Sequence, residues 1–319
     1  DDRIEVTNPY TNEVVGTVPK MGLDQVKKAI DFMYDYEPEL TAYERSEILR
    51  ASAAEIKSRT DELAYGISLE SGMSIQDSTK EVGRGVGLIL TAAEEAKRIM
   101  GEQLPSDVDA SGADKLILAL RHPVGLVSAI VPFNRPMNQV VVKVAPSFAA
   151  GNKTIVKPTE RTPMSAIRFV EILLNNGMPP GMIGVVTGKS SEIGNELVSS
   201  QKIDMVTFTG STEVGRKLTN MAGIKKLTME LGGNDPLIVL DDADVKLAAK
   251  LTVAGAYGNA GQACRGVKRV LVVDSVADEY AKEVTALTEA IKYGDPFAPG
   301  IAVGTVIDEK AAIEIEDAI

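Results

Sequence analysis

Four short apolar runs decide the fold of this chain: GLVSAIVP (125–132), KTIVKP (153–158), IGVVTG (183–188) and MVTFTG (205–210). A predicted helix follows each run: the first ends at residue 150, and the other three span residues 163–176, 191–199 and 212–221. Uninterrupted apolar strands that alternate with helices are typical of a parallel sheet covered on both faces. The pattern therefore predicts an α/β fold with a Rossmann-like open parallel sheet.

The segments on either side of this region predict further elements. Residues 3–19 alternate apolar and polar side chains around the turn NPYTN and predict a hairpin, and residues 23–100 carry helical periodicity. After residue 240 a helix (244–258), a strand (269–274) and a second helix predict more α/β structure. We expect a dinucleotide-binding domain formed by residues 1–103 and 122–231, and the first part of an α/β catalytic domain at 232–319.

Composition narrows the class of protein. A net charge of -11 disfavours nonspecific binding to nucleic acid or to an anionic membrane surface. One cysteine and one histidine allow no internal disulfide and leave little from which to build a Cys/His metal site, so no metal is expected. No run of about 18 apolar residues occurs, and the first residues lack the pattern of a signal peptide, so we expect a cytoplasmic protein.

Ligands of open parallel sheets bind beyond the carboxyl ends of the strands, which makes the residues there candidates. Asn134 can donate to a developing oxyanion, or it is an ordinary turn residue. Lys157 and Glu160 suit ribose hydroxyls, or they form an exposed charge pair. Ser211 begins a helix whose N–H groups can hold a pyrophosphate, or it lies in a structural turn. Glu230 can act as a general base, or it is a surface carboxylate.

The single thiol, Cys264, lies in the segment GQACR (261–265) among small and polar residues. Reactive cysteines occupy polar, partly exposed surroundings, whereas free cysteines elsewhere are usually buried as small apolar side chains. The residues alone leave both interpretations open.

Five segments, in this order, resemble the motifs of the aldehyde dehydrogenase superfamily: FNRP (133–136), AAGNKTIVKPTE (149–160), FTGSTEVG (208–215), MELGG (229–233) and GQAC (261–264). The resemblance covers nearly the whole chain. It implies NAD(P)-dependent oxidation of an aldehyde to a carboxylic acid, with NAD favoured by Glu160 and NADP as the other candidate. It also implies a homodimer or homotetramer, with residues 104–121 as an oligomerisation segment.

The resemblance assigns a role to each matching residue. Cys264 would be the nucleophile that passes through a thiohemiacetal and a thioester, Asn134 the oxyanion donor, and Glu230 the base that activates water for hydrolysis. The cofactor would contact residues at the ends of several strands and at one helix: Pro132, Phe133, Lys157, Thr159, Glu160, Gly210, Ser211, Gly215 and Gly232.

Two arginines beside this machinery bear on the substrate. Arg135 follows Asn134 and Arg265 follows Cys264, so each can bind a phosphate, phosphonate or carboxylate, or else reach solvent or a neighbouring carboxylate. Arg265 can instead favour the thiolate form of Cys264 by its charge. FNRPMNQVVVKVAP (133–146) also resembles the branch of the family that oxidises phosphorylated or phosphonylated small aldehydes. That branch often carries arginine directly before the cysteine, where Ala263 stands here. The alternatives are a neutral aldehyde, or a noncatalytic protein that keeps the fold.

The chain ends at Ile319, before the ExFGP-like motif whose glutamate binds the nicotinamide ribose in the family. We therefore expect the catalytic domain to be incomplete in these 319 residues.

Overall fold

The computed structural model describes residues 2–317. Its N-terminal part is an antiparallel pair followed by four helices and a second antiparallel pair: β1 (Arg3–Thr7), β2 (Val14–Pro19), α1 (Leu23–Asp35), α2 (Ala42–Ser58), α3 (Thr60–Ser71), α4 (Ile75–Ala96), β3 (Glu102–Leu104) and β4 (Ile117–Ala119). The hairpin predicted for residues 3–19 is confirmed, since β1 pairs with β2.

The predicted parallel sheet is confirmed in the next part of the chain. Strands and helices alternate there: β5 (Leu126–Val131), α5 (Asn138–Ala149), β6 (Lys153–Pro158), α6 (Met164–Asn175), β7 (Ile183–Val185), α7 (Ser190–Ile193), α8 (Glu196–Ser199), β8 (Met205–Thr209), α9 (Thr212–Ala222) and β9 (Lys226–Glu230). All five strands are parallel, in the order β7-β6-β5-β8-β9. Their carboxyl ends therefore meet at one edge.

The sheet is covered by helices on both faces, which explains why its strands are apolar throughout. Neighbouring residues of one strand belong to different cores: Val156 packs with α2 to α6, whereas Ile155 packs with α1, α8 and α9. This alternation is the period-two geometry of a strand, with both faces buried instead of one.

One helix differs from the prediction. The segment 191–199 was expected to form a single helix, and it forms α7 and α8, with Gly194 and Asn195 between them. Both residue types have low helix propensity, and asparagine competes for backbone hydrogen bonds, so the apolar periodicity alone overestimated the helix length.

The last part of the chain forms a smaller parallel pair beside the main sheet. Its elements are β10 (Asp235–Val239), α10 (Val245–Tyr257), a turn with left-handed backbone (Gly258–Gly261), β11 (Val267–Val272), α11 (Asp274–Glu289) and α12 (Glu309–Glu316). β10 and β11 run parallel, and a separate core forms around Val239, Ala249 and Tyr280.

The segment 104–121 contains the last residue of β3 and all of β4, and the residues of this β3–β4 pair are all exposed. Its role in oligomer contact stays a prediction. Within residues 2–317, none of the helices is both long enough and apolar enough to cross a lipid bilayer.

Candidate active site

The three predicted catalytic residues line one cavity of about 550 Å³. Asn134 lies three residues after the end of β5, Glu230 is the last residue of β9, and Cys264 lies in the loop before β11. The cavity therefore occupies the carboxyl edge of the parallel sheet, where this class of fold binds its ligands. The smaller α/β part contributes the loop that carries the thiol.

Cys264 is exposed, so the interpretation of a buried core cysteine is wrong. The MELGG segment lies beside its loop, because a Cβ atom placed on Gly233 would be 3.4 Å from the carbonyl oxygen of Cys264. A side chain at Gly233 would restrict the approach of the two segments.

Asn134 is tied to the cysteine loop by its side chain. Its Nδ2 donates to the carbonyl oxygen of Gln262 at 2.8 Å, while its Oδ1 is buried without a hydrogen-bond partner. An amide nitrogen carries two hydrogens, so one N–H remains for a ligand in the cavity.

Lys143 also lines the cavity, and the sequence interpretation missed it. It is 6% exposed, and its Nζ donates to Oγ1 of Thr207 at 3.1 Å. Burial lowers the pKa of Lys143 to about 8, although the negative charge of Glu230 opposes that shift. A charged residue within the apolar face of α5, between Val141 and Val144, was the available signal.

Arg135 is half-buried and faces a carboxylate. Its Nη1 lies 3.8 Å from Oε2 of Glu81, so the alternative interpretation that Arg135 reaches a neighbouring carboxylate is confirmed. Arg135 nevertheless lines the cavity. Glu81 is 2% exposed and accepts hydrogen bonds from the N–H groups of Met137 and Asn138 at 3.0 Å each. Burial raises the pKa of Glu81 to about 7.

Other cations lie along the same cavity. Arg265 and Arg84 are exposed and form no ion pair among residues 2–317, whereas Lys80 pairs with Asp77 at 3.2 Å. The sequence interpretation named Arg265 and missed Arg84, because α4 is far from the motifs along the chain.

The proposed ribose-binding pair is more buried than an exposed charge pair. Lys157 is 2% exposed, and its Nζ lies 3.5 Å from Oε1 of Glu160 and donates to the carbonyl oxygen of Pro158. Burial lowers the pKa of Lys157 despite Glu160. Glu160 accepts from the backbone N–H and the hydroxyl of Ser190 and remains partly exposed, with lone pairs left for ribose hydroxyls.

The expected pyrophosphate site is the start of α9. Ser211 is its N-cap, with Oγ accepting from the N–H of Val214 at 3.3 Å. A Cβ on Gly232 would meet only Oγ1 of Thr212, at 3.9 Å, so there is open space next to this helix start. These features fit a dinucleotide, which needs N–H donors and room for the backbone to approach.

The remaining predicted cofactor residues occupy the same edge. Pro132, Phe133 and Thr159 are half-buried after β5 and β6. A Cβ on Gly210 would collide with the ring of Phe208, and one on Gly215 with Leu231, so these two glycines permit close packing around the helix start. Contact of all five residues with a cofactor stays a prediction.

The aldehyde dehydrogenase family is the family whose sequence model matches this chain, over residues 1–319. The mitochondrial succinate-semialdehyde dehydrogenase of Arabidopsis thaliana is 39% identical over 318 residues, 98% of this chain and 60% of the relative. The succinate-semialdehyde dehydrogenase [NADP(+)] of Escherichia coli is 38% identical over 323 residues, 100% of this chain and 66% of the relative. A lactaldehyde dehydrogenase of Methanococcus aeolicus is 35% identical, over 99% of this chain and 68% of the relative.

Solved structures give the same result. An NADP-dependent enzyme of E. coli superposes with a TM-score of 0.96 and 38% identity, over 99% of this chain and 66% of the other. The glyceraldehyde-3-phosphate dehydrogenase of Methanocaldococcus jannaschii, complexed with NADP, superposes with a TM-score of 0.94 and 34% identity, over 98% of this chain and 69% of the other. The chain therefore belongs to the aldehyde dehydrogenase family, and it spans 60% and 66% of the first two relatives.

Proposed function

We propose that this protein oxidises an aldehyde to a carboxylic acid with NAD or NADP. One observation carries the proposal: Cys264, Asn134 and Glu230, which come from three distant parts of the chain, line the same cavity. A thiol, an amide donor and a carboxylate are the groups that addition to a carbonyl and later hydrolysis require.

The reaction begins when the thiolate of Cys264 forms a bond to the aldehyde carbon and the carbonyl electron pair moves to oxygen. The free N–H of Asn134 and the backbone N–H of Cys264 stabilise that oxyanion, which lowers the barrier because the charge appears only as the bond forms. A nicotinamide cofactor held by Lys157, Glu160 and the N–H groups that follow Ser211 would supply the hydride acceptor that turns this adduct into a thioester. Glu230 then takes a proton from water, whose hydroxyl attacks the remaining thioester and releases the acid and the Cys264 thiolate, and Glu230 returns its proton to solvent.

The cofactor is held in the proposal by the carboxyl edge of the sheet. Lys157 and Glu160 contact the adenosine ribose, the N–H groups that follow Ser211 contact the pyrophosphate, and Gly232 leaves room near the nicotinamide. Glu160 favours NAD, because a carboxylate beside the ribose repels a 2′-phosphate. Lys189 lines a smaller cavity next to Glu160 and forms no ion pair in the described part of the chain, which keeps NADP as the second candidate, whereas Arg161 in the same cavity pairs with Asp308 at 2.7 Å.

A small anionic aldehyde is the proposed substrate class. Arg265 and Arg84 supply positive charge to the cavity without an ion-pair partner among the described residues, whereas the charge of Arg135 is offset by Glu81. Two similar proteins have names that denote anionic substrates, a carboxylate in succinate semialdehyde and a phosphate in glyceraldehyde 3-phosphate. The branch that acts on phosphorylated or phosphonylated aldehydes is one form of this proposal.

A neutral aldehyde is the second candidate, because the relative from M. aeolicus is named for lactaldehyde, which carries no charge. A noncatalytic protein that keeps the fold is the third. The shared cavity argues against it, since a noncatalytic protein has no physical need for all three groups at one place.

One assay separates these candidates. Full-length protein is mixed with NAD or NADP and with succinate semialdehyde, glyceraldehyde 3-phosphate, phosphonoacetaldehyde or propionaldehyde, and the reduced nicotinamide is followed by absorbance. We expect turnover that Cys264→Ala abolishes and a preference for anionic aldehydes that Arg265→Gln and Arg84→Gln weaken by about 10-fold, whereas Arg269→Gln, an exposed position on β11, is the matched control. Preference for propionaldehyde that is unaffected by these variants would reject the anionic substrate.

The finer assignments belong to the same proposal. Residues 1–103 and 122–231 bind the cofactor, residues 232–319 are the first part of the catalytic domain, and residues 104–121 contact another subunit in a cytoplasmic homodimer or homotetramer. Sedimentation of the full-length protein measures the number of subunits.

A further inference from the structure

The loop that carries Cys264 begins with an unusual backbone turn. Asn259, Ala260 and Gly261 have positive φ angles of 55°, 53° and 76°. Left-handed backbone is disfavoured for residues with a side chain, and it persists in non-glycine residues only where surrounding contacts hold it. The contacts that hold this turn therefore act directly on the nucleophile's loop.

Two hydrogen bonds cross between this loop and the segment that follows β5. Nδ2 of Asn259 donates to the main-chain oxygen of Asn134 at 2.8 Å, and Nδ2 of Asn134 donates to the main-chain oxygen of Gln262 at 2.8 Å. Each asparagine thus uses its side chain to bind the backbone of the other segment. Both acceptors are carbonyl oxygens, which fixes the orientation of both amides, because only the nitrogen side can donate.

Asn259 is the buried member of this pair, at 4% exposure. Asparagine suits the position, because it tolerates left-handed backbone better than other residues with a side chain and it also supplies the donor. Gln262 completes the arrangement: its Nε2 donates to the carbonyl oxygen of Asn259 at 3.1 Å, and its Oε1 accepts from the N–H of Ile307 at 2.9 Å.

Asn134 depends on these bonds for its direction. Its Oδ1 has no partner, so nothing on that side of the amide holds its plane. The direction of its second N–H is therefore determined by the bond to Gln262 and by the position of its own main chain, which Asn259 holds.

We propose that Asn259 is a positioning residue for the oxyanion donor. Its side chain holds the Asn134 segment against the cysteine loop, so that the second N–H of Asn134 is ready for an oxyanion formed at Cys264. The inference rests on Cys264 being the nucleophile of the proposed function, and it is tested by chemistry that needs neither the cofactor nor the natural aldehyde.

The test compares two reactions of Cys264, the single thiol of this chain. In acylation by p-nitrophenyl acetate, the sulfur bonds to the carbonyl carbon, the electron pair moves to oxygen, and the adduct expels p-nitrophenolate, which leaves acetyl on the sulfur. In alkylation by iodoacetamide, the S–C bond forms as the C–I bond breaks, and no oxyanion appears. A residue that acts through the oxyanion donor affects the first rate alone.

Asn259→Gly keeps the left-handed backbone and removes the donor, and Asn259→Asp keeps the shape and replaces the donor with an acceptor. We expect both variants of the full-length protein to acylate about 10-fold to 100-fold more slowly, with alkylation changed by less than about 2-fold. In an Asn134→Ala background, Asn259→Gly is expected to have no further effect on acylation. Asn12→Gly is the matched control, since Asn12 is also left-handed, with φ of 59°, in the distant β1–β2 turn.

Several results would overturn the inference. They are an equal loss of both rates in the Asn259 variants, losses that multiply in the Asn134→Ala background, unfolding of both Asn259 variants, and a wild-type protein that p-nitrophenyl acetate does not acylate. A wild-type protein that is acylated but oxidises no aldehyde contradicts the proposed function alone, and the comparison of the two rates still tests Asn259.

Discussion

Glu70 and Glu81 are two buried carboxyl groups, and each caps the N-terminus of a helix that packs on the main sheet. Glu70, at the end of α3, accepts from the N–H groups of Met164 and Ser165 where α6 begins. Glu81, on α4, accepts from Met137 and Asn138 where α5 begins. In both cases the helical layer before the sheet supplies an acceptor to a helix N-terminus, whose N–H groups lack partners within their own helix.

The two groups differ in what their second oxygen does. Glu70 uses one oxygen for each N–H group of α6. Glu81 uses a single oxygen for both, and its Oε2 is left without a hydrogen bond beside the cavity, 3.8 Å from Arg135. Both oxygens of Glu70 are thus used in capping, whereas one oxygen of Glu81 is left to face the candidate active site. The capping role of Glu81 and its role in the site can therefore be separated by experiment.

Truncation of either carboxylate tests the shared role and has the largest expected effect. Glu70→Ala and Glu81→Ala each leave two buried N–H groups without an acceptor, so we expect the free energy of unfolding at pH 5, where both carboxyls are protonated in the folded state, to fall by about 3 kcal/mol in each case. Urea unfolding followed by circular dichroism measures this. An effect below about 1 kcal/mol at one site alone would break the equivalence of the two caps.

The dependence of stability on pH tests the burial that both groups share. Burial raises the pKa of each carboxyl from 4.5 to about 7. A raised pKa in the folded state means that the folded protein binds more protons than the unfolded one, so each group destabilises the fold as pH rises from about 4.5 to about 7. We expect a contribution on the order of 3 kcal/mol per carboxyl over this window, which Glu70→Gln or Glu81→Gln removes for its own group. Free energies of unfolding measured at pH 5, 6, 7 and 8 test the sign of this pH dependence. A free energy of unfolding that rises with pH in the wild type and in both variants would contradict it.

Turnover is expected to separate the two groups. Glu81→Gln puts an amide NH2 group opposite the Arg135 guanidinium, and two donors that face each other are expected to displace the segment that carries Asn134. We therefore expect kcat/KM to fall by about 10-fold, whereas Glu70→Gln changes it by less than about 2-fold. Steady-state kinetics with the best aldehyde of the panel measure both. Equal losses would show that Glu81 acts only through the stability of the fold.

The smallest effect expected is the coupling between Glu81 and Arg135. At 3.8 Å, with Arg135 half-buried, a double-mutant cycle of Glu81→Gln and Arg135→Met is expected to give about 0.5 to 1 kcal/mol in unfolding free energy. No coupling within experimental error would mean that Oε2 of Glu81 does not interact with Arg135 in solution.

The parts of the fold that depend on local pattern could be predicted from the sequence. The parallel sheet followed from apolar runs, and Asn134, Glu230 and Cys264 could be named because each follows a strand or lies in a recognisable motif. Each of these predictions needs only a few residues that are neighbours in the sequence.

The residues that were missed are defined by contacts between distant segments. Glu81 lies on the same buried face of α4 as Ser78, Val82 and Gly85, so its charge among uncharged residues was the only signal. The N–H groups that it binds lie at the start of another helix. Asn259 gave no signal, because its backbone angles and its bond to Asn134 exist only in the folded chain. Arg135 shows the converse, since proximity in sequence to Asn134 suggested a substrate contact and the structure adds a carboxylate partner.

Oxidants that enter the cavity meet a sulfur with no second thiol in these 319 residues. A sulfenic acid formed at Cys264 therefore has no cysteine within these 319 residues with which to close a disulfide, and a thiol from outside them would have to cap it before it advances to the irreversible sulfinic acid. The exposure that would let an aldehyde reach the sulfur in the proposed reaction also admits peroxide. Whether the Cys264 thiol survives oxidative stress then depends on the thiols that surround the protein. A ligand that fills the cavity would shield the sulfur.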